Sequence, residues 1–313
     1  MDSVAGLVGG ARADGAFLLR SAFSPPWSFR VRDEAPLSAA VCVTGGAWLA
    51  TDDGGTWQLE PGDVALLRGP DPYTVAADPS IPPSIFVEPG QQCVDADGVP
   101  VTGDLLDPGS RTWGNDHQGR DVLVTGTYAT TAAVGDRLLR ALPPVVVLAR
   151  ESWSADLVDL LCAEVQRDAP GQDVFLDRLL DLVVLAAVRA WLATDDRAPA
   201  WHRAGADRVV GPALTAVHER PEQPWTVASL AAEAGVSRAA FARRFTELVG
   251  EPPGQYLTSW RLAVAADLLE RTDATIESVA RQVGYGSPFA LSAAFSRVRG
   301  VSPARHRARA RVG

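Results

Sequence analysis

The sequence predicts an α+β chain of two domains, β-rich in its first half and all-helical in its last third. Three observations carry this expectation. The 313 residues are enough for two cores. Apolar residues come in short runs between Gly, Pro and Asp clusters from Phe17 to about Val147, then at helical spacing from Glu151 onward. Finally, one local device, a short apolar-periodic helix, a Gly turn and a second helix, occurs twice between Trp225 and Pro303.

Composition narrows the class. The longest apolar stretch, Leu179 to Leu192, is interrupted by Asp181 and Arg189, so no membrane span is expected. The start of the chain lacks a basic region followed by an apolar run, so no signal peptide is read and a cytoplasmic location is expected. Cys42, Cys93 and Cys162, odd in number and widely spaced, suit buried reduced thiols better than a disulfide framework or a zinc site. The net charge of −9 hides an asymmetry: residues 1–204 carry 15 Arg against 28 Asp plus Glu, whereas residues 205–313 carry 14 against 10. Every basic side chain other than His is Arg, a planar fork suited to phosphate oxygens or a guanine edge. The basic part is the part with the repeated device, and the acidic remainder disfavours non-specific wrapping of a polyanion around the whole molecule.

In chain order, residues 1–14 read as a weak first helix or a frayed end. The runs LSAAVCVTG, GAWLATDDGGTWQLEPGDVALL, PSIFVE and DVLVTGTY read as strands of a sandwich or barrel, with a hairpin turn at Asp52–Gly55. The segment GGTWQLEPGDVALLRGPDPY resembles the second signature of the cupin barrel, with Pro61 and Gly62 at the turn. Tyr73 stands where many cupins place a metal-binding His, and the region corresponding to the first signature, Leu37 to Trp48, has no His. No metal and no cofactor are therefore expected, and His117 reads as a loop residue. What remains for residues 1–149 is a cupin-like sensory barrel. Its interior candidates are Trp27, Phe29, Trp48, Trp57, Tyr73, Trp113 and Tyr128, either filling the core or lining a pocket for a small organic effector.

Residues 150–196 read as a helical hairpin. Leu157, Leu160, Leu161 and Val165 mark one helix, Pro170-Gly171 the break, and Asp173 to Thr194 a helix apolar on most sides. Such a helix needs cover on more than one face, and a second copy of the chain would supply it, making a homodimer. Residues 197–206 read as a linker, and 207–313 as the second domain.

In that domain Thr226 and Ser237 are N-caps, Gly235 provides the reversal, and Phe241, Phe245 and Leu248 form the buried stripe of the second helix. Arg238, Ala239, Ala242, Arg243 and Thr246 fall on the opposite face, the one able to enter a major groove. Arg243 projects from its middle, where a bidentate contact to guanine is feasible; Arg244, nearer the apolar edge, is placed for phosphate. The second copy begins at Thr275, with Gly284 and Ser287 in the corresponding places.

These residues carry a family resemblance. The run from His218 to His306 closely resembles the C-terminal DNA-binding domain of AraC/XylS-type transcriptional regulators. It rests on the GxS turn at Gly235, the G-x-P-P-x-x-Y-L joint from Gly250, Trp260-Arg261, the GYxS turn at Gly284 and the closing RG-x-SP. The barrel is similar to the cupin-type sensory domain of a subset of that family. The resemblance implies two helix-turn-helix units joined by one long helix, about Gln255 to Glu270, spanning roughly 24 Å. It places Ser287, Pro288, Ala290, Ser292 and Ala293 on the second reading surface. Many members carry Arg where Ala293 stands, so the second unit is expected to contribute phosphate contacts through Ser287, Ser296, Arg297 and Arg299, with methyl or shape readout.

The function expected is therefore a sequence-specific DNA-binding transcription regulator that answers to a small-molecule effector and is not an enzyme. Its partners would be double-stranded promoter or operator DNA, the effector, a second copy and RNA polymerase, with no membrane. Two alternatives stay open: a cupin enzyme with an appended DNA-binding domain, and a constitutive DNA-binding protein with a purely structural barrel.

Overall fold

The structure is a computed structural model that describes residues 17–101, 106–107, 112–128, 139–165, 167, 169–194, 198 and 200–310. Residues 1–14, read above as a weak helix or frayed end, lie outside them. The chain forms two compact units, one built from Arg12–Thr131 with Leu142–Asp195 and one formed chiefly by Asp196–Gly313.

The first unit is a pair of facing sheets. Thirteen strands among the described residues run β1 (Phe17–Phe23), β2 (Ser28–Val31), β3 (Leu37–Thr44), β4 (Ala47–Thr51), β5 (Thr56–Leu59), β6 (Val64–Arg68), β7 (Tyr73–Ala76), β8 (Ile85–Glu88), β9 (Gln92–Val94), β10 (Leu106–Asp107), β11 (Thr112–Trp113), β12 (Asp121–Tyr128) and β13 (Val145–Leu148). One sheet has the order β10-β11-β1-β12-β3-β6-β13 and the other β5-β4-β7-β2-β8-β9. The Asp52–Gly55 turn closes the β4–β5 hairpin, whose register pairs Ala50 with Thr56. Strand parity then sorts the side chains. Along β12, Leu123, Thr125 and Thr127 face the space between the sheets, while Gly126 and Tyr128 face outward.

That outward face is covered by the expected hairpin, α1 (Ala155–Val165) and α2 (Gln172–Thr194). Gly126 eases this packing: a Cβ at this position would press on the Leu180 methyls, so its absence lets α2 close on the sheet without moving that side chain. The Tyr128 hydroxyl donates to Asp181 on the same helix at 3.3 Å. The hairpin thus belongs to the same compact unit as the sheets. Leu176, Leu179, Leu180, Val183, Val184, Ala187, Val188 and Trp191 of α2 are buried, whereas Val174, Phe175 and Leu182, with Leu160 of α1, remain exposed.

The second unit is helical: α3 (Ala200–Gly205), α4 (Val210–Glu219), α5 (Val227–Glu233), α6 (Arg238–Val249), α7 (Pro253–Arg271), α8 (Ile276–Gln282), α9 (Pro288–Arg299) and α10 (Pro303–Ala310). Residues 197–206, expected as a linker, contain α3. Its Trp201 and Ala204 are buried, and it packs on α4 and α6. The indole and small-residue spacing of Trp201 and Ala204 explains the difference: one short apolar face suffices where two helices already offer a groove. The connecting helix α7, at 19 residues, spans about 28 Å.

Candidate nucleic-acid interface and cavity

The two helix-turn-helix units are built by the same backbone contacts. In the first, Thr226 and Ser229 form a reciprocal capping box: the Thr226 hydroxyl accepts the Ser229 N–H at 3.0 Å and the Ser229 hydroxyl accepts the Thr226 N–H at 2.8 Å. In the second, the Thr275 hydroxyl accepts the Ser278 N–H at 3.1 Å. The turns match as well. Gly235 at φ 67° and Gly284 at φ 77° take the left-handed conformation, and the following amides, Val236 N–H and Tyr285 N–H, reach back to the carbonyls of Ala231 and Ala280 at 3.0 and 2.8 Å. Ser237 and Ser287 then cap α6 and α9 by accepting the Ala240 and Ala290 N–H groups.

Each entry loop is also clamped by an arginine from a later helix. Arg261 donates to the carbonyls of Pro221 and Gln223, at 2.8 and 2.5 Å, in the loop before α5. Arg307 donates to those of Leu269 and Ala274, at 3.1 and 2.5 Å, before α8. Burial lowers the pKa of Arg261, as expected of a guanidinium spent on structure rather than presented to solvent.

On α6, Phe241, Phe245 and Val249 form the buried stripe; Leu248, expected in it, is only half-buried because the four-residue spacing continues to Val249. The ring of Phe245 meets Tyr256 of α7 edge-on at 5.5 Å. Arg238, Ala239, Arg243 and Thr246 are exposed and Ala242 half-exposed on the opposite side. Arg243 lies 3.7 Å from Glu247 one turn on, and the Thr246 hydroxyl donates to its own helix at the Ala242 carbonyl, 2.8 Å.

Arg244, expected at phosphate, is instead bound by Asp207. Its Nε lies 3.2 and 3.1 Å from the two carboxylate oxygens, and one terminal nitrogen 2.5 Å from Oδ2. Asp207 also accepts the Val209 and Val210 N–H groups, both at 3.0 Å, at the start of α4. The Arg244 hydrogen bonds and the two amides hold its carboxyl well below the usual carboxylate range. With its fork turned onto α4, Arg244 ties the recognition helix to the body of the domain. The 37-residue separation hid this pair from sequence reading.

On α9, Leu291, Ala294 and Phe295 are buried, whereas Ala290, Ala293 and Arg297 are exposed and Pro288, Ser292 and Ser296 half-exposed. The Ser287 hydroxyl is used by the cap, and the Arg299 guanidinium lies over the Phe295 ring, 5.7 Å from its centroid. Phe289, absent from the expected set, stands in solvent on the same stripe. Its signal was available in the spacing: it falls two and six residues before the buried Leu291 and Phe295, on the far side of the helix.

In the β unit a cavity of ≈ 70 Å³ lies between the sheets, ample for more than one water. Its wall includes Phe29, Tyr73 and Trp113, with Leu19, Val31, Val75, Val87 and Leu123. Trp113 is 3 % exposed and its indole N–H has no partner among the described residues. Gln91 donates to Asp33 at 2.7 Å on the same wall, which also includes Cys93 and Thr127. Burial holds the Tyr73 phenol above its ordinary range, with the Ser38 hydroxyl opposing.

Four of the seven aromatic candidates lie off this wall. Trp27 stacks on Phe23 at 4.6 Å and donates its indole N–H to Asp121 at 2.9 Å, filling the core. Trp57 packs over the same core from β5. Trp48 is of opposite parity to buried Leu49 and lines an open surface groove with Gly45, Gln58 and Arg120. Tyr128 is outward beneath α2.

Among the described residues, no three His, Cys, Asp or Glu side chains converge as a metal ion would need. The three cysteines are free thiols; burial, with Asp63 and Asp121 adding to it, pushes Cys42 up to about 12, and burial raises Cys93 and Cys162. No helix among the described residues is long and apolar enough to cross a membrane.

Comparison with known proteins agrees with this division. A cupin family model matches residues 2–193, and a helix-turn-helix domain model matches residues 230–309. An AraC-like transcription regulator of Streptomyces lividans is 33 % identical over 306 residues, covering 88 % of this chain and 95 % of its own. The HTH-type transcriptional regulator AlkR of Acinetobacter baylyi is 29 % identical, covering 90 % of each chain. Among solved structures, the DNA-binding domain of AdpA, a global transcriptional factor crystallised with a target DNA, is 39 % identical over 34 % of this chain and 96 % of that one, with a TM-score of 0.33. The cupin match across the β unit, the helix-turn-helix match across the paired caps and turns, and the near full-length relative together place this chain in the AraC family of DNA-binding transcription regulators.

Proposed function

We propose that the cupin unit is a sensor for a small, largely apolar organic molecule, and that its occupancy governs how two copies of the DNA-binding domain are presented to an operator. The observation that carries this reading is the cavity between the sheets, apolar on most of its wall and polar at Asp33 and Gln91, in the same chain as two reading heads. Within this reading the chain acts in the cytoplasm as a transcription regulator rather than an enzyme, and RNA polymerase is a further partner. The exposed Val174, Phe175 and Leu182 of α2, with Leu160 of α1, support a homodimer through the hairpin, since water is a poor neighbour for four large aliphatic and aromatic groups. On the first reading head, Arg243 reads a base, with Arg238, Ala239 and Ala242 beside it. The second head contributes Ala290, Pro288, Ser292, Ser296 and Arg297.

The test is a metabolite screen by thermal shift on the full chain, repeated on Leu123→Trp, which fills the cavity. Hits that raise the melting temperature of the wild type in proportion to ligand and leave the filled variant unmoved are expected. Ligands that shift both equally would place effector binding elsewhere.

A further inference from the structure

Aligned on their caps and buried stripes, the two recognition helices match residue for residue: Ser237 with Ser287, Phe241 with Leu291, Phe245 with Phe295. The alignment sets Arg243 against Ala293 and Ala239 against Phe289. The long side chain and the methyl have changed places between the two heads at these positions, so the second head presents a bulky group a turn earlier along the helix. Phe289 is 84 % exposed, the most exposed large apolar side chain among the described residues. At 100° per residue it sits opposite the buried stripe, next to Ala293, with Ser292 and Ser296 on one flank and Ala290 and Arg297 on the other.

We infer that Phe289, with the Ala293 methyl beside it, is the base-reading element of the second head and selects thymine by its C5 methyl. The inference rests on the assignment of α9 as a recognition helix. A phenyl ring has no donor or acceptor with which to distinguish polar base edges, and the thymine methyl is the one apolar feature that unmodified DNA displays in the major groove. A ring left in water gains most from a surface that buries it. The surroundings favour a polyanion over an apolar protein partner: residues 288–310 contain five Arg and no Asp or Glu, and Arg281, Arg297, Arg305 and Arg309 are exposed.

The experiment begins with selection of binding sites from a random duplex library by the full-length protein. Each thymine of the enriched duplex is then replaced in turn by deoxyuridine, which removes only the methyl, and affinity is measured by fluorescence anisotropy. Wild type is expected to lose about three- to fivefold at one or two positions in one half of the site, the scale of one methyl group returned to water. Phe289→Ala should bind the thymine duplex as weakly as wild type binds the uridine one, and should show no further loss on substitution. Phe289→Leu, which keeps an apolar group, should retain part of the preference. Because the ring is exposed, the variants should melt with wild type. An enriched site whose uridine penalties are absent in wild type, or unchanged in Phe289→Ala, overturns the assignment; unchanged penalties with a weakened dimer would mark Phe289 as a protein contact instead. Failure to enrich any sequence would count against sequence-specific reading as a whole.

Discussion

The Asp207–Arg244 pair makes two roles for one arginine separable by experiment. A guanidinium that contacts phosphate releases a counterion on binding, so its removal lowers the slope of log affinity against log salt by about 0.9. A guanidinium held by Asp207 contributes nothing to that slope. Arg244→Ala is therefore expected to leave the salt dependence of operator binding unchanged while lowering the melting temperature of the helical domain. Asp207→Asn keeps an oxygen for the Val209 and Val210 amides but removes the charge, so it should reproduce the melting effect of Arg244→Ala and not add to it. It should also free Arg244, steepening the salt slope by up to about 0.9. Asp207→Ala costs the helix cap as well, about 1 kcal/mol. The pH dependence has a definite sign. The folded Asp207 pKa lies below its ordinary value of about 3.9, so the pair stabilises above that value and the contribution is lost as pH falls toward the folded pKa. Arg244→Ala should accordingly shrink the acid-induced loss of stability. A slope reduced by about 0.9 in Arg244→Ala, with melting unchanged, would refute the clamp and restore the phosphate contact.

Two further outcomes are expected. Arg243→Ala should weaken operator binding by roughly ten- to a hundredfold and binding to scrambled duplex far less, as lost bidentate base contacts do; equal losses on both in a competition assay would remove its base-reading role. Leu182→Arg on the exposed face of α2 should convert the proposed dimer to monomer in sedimentation velocity without unfolding the cupin unit, and an unchanged sedimentation coefficient would move the dimer contact elsewhere.

The parts of this protein written in local sequence were legible there. Thr226, Ser237, Thr275 and Ser287 act within three residues of themselves, and Gly235 and Gly284 within a turn, so their spacing alone predicts two helix-turn-helix units. Parts that depend on distant partners were not. Whether an aromatic residue lines the cavity depends on strand parity and on what lies across the sheet, which is why Phe29, Tyr73 and Trp113 reach it and Trp27, Trp48, Trp57 and Tyr128 do not. Arg244 looked available because Asp207 lies 37 residues away. Residues 197–206 looked like a linker because the groove that holds Trp201 is made by α4 and α6, not by its own neighbours. Phe289 is hard to read for a different reason: an apolar residue in a helix invites burial, and only its angle to Leu291 and Phe295 shows otherwise.

The paired arginine clamps suggest how such a molecule changes allegiance. Arg261 and Arg307 secure the entry to each head through backbone carbonyls, and the caps and turns are likewise shared, so the duplicated scaffold is maintained by contacts within the domain itself. Arg243, Ala239, Phe289 and Ala293 are exposed, and of the four Arg243 pairs only with Glu247 on its own helix. On the reading proposed here, substitutions at those four sites change what each head selects with little consequence for the fold, so a scaffold of this kind can move from one set of target sequences to another by single steps, one head at a time.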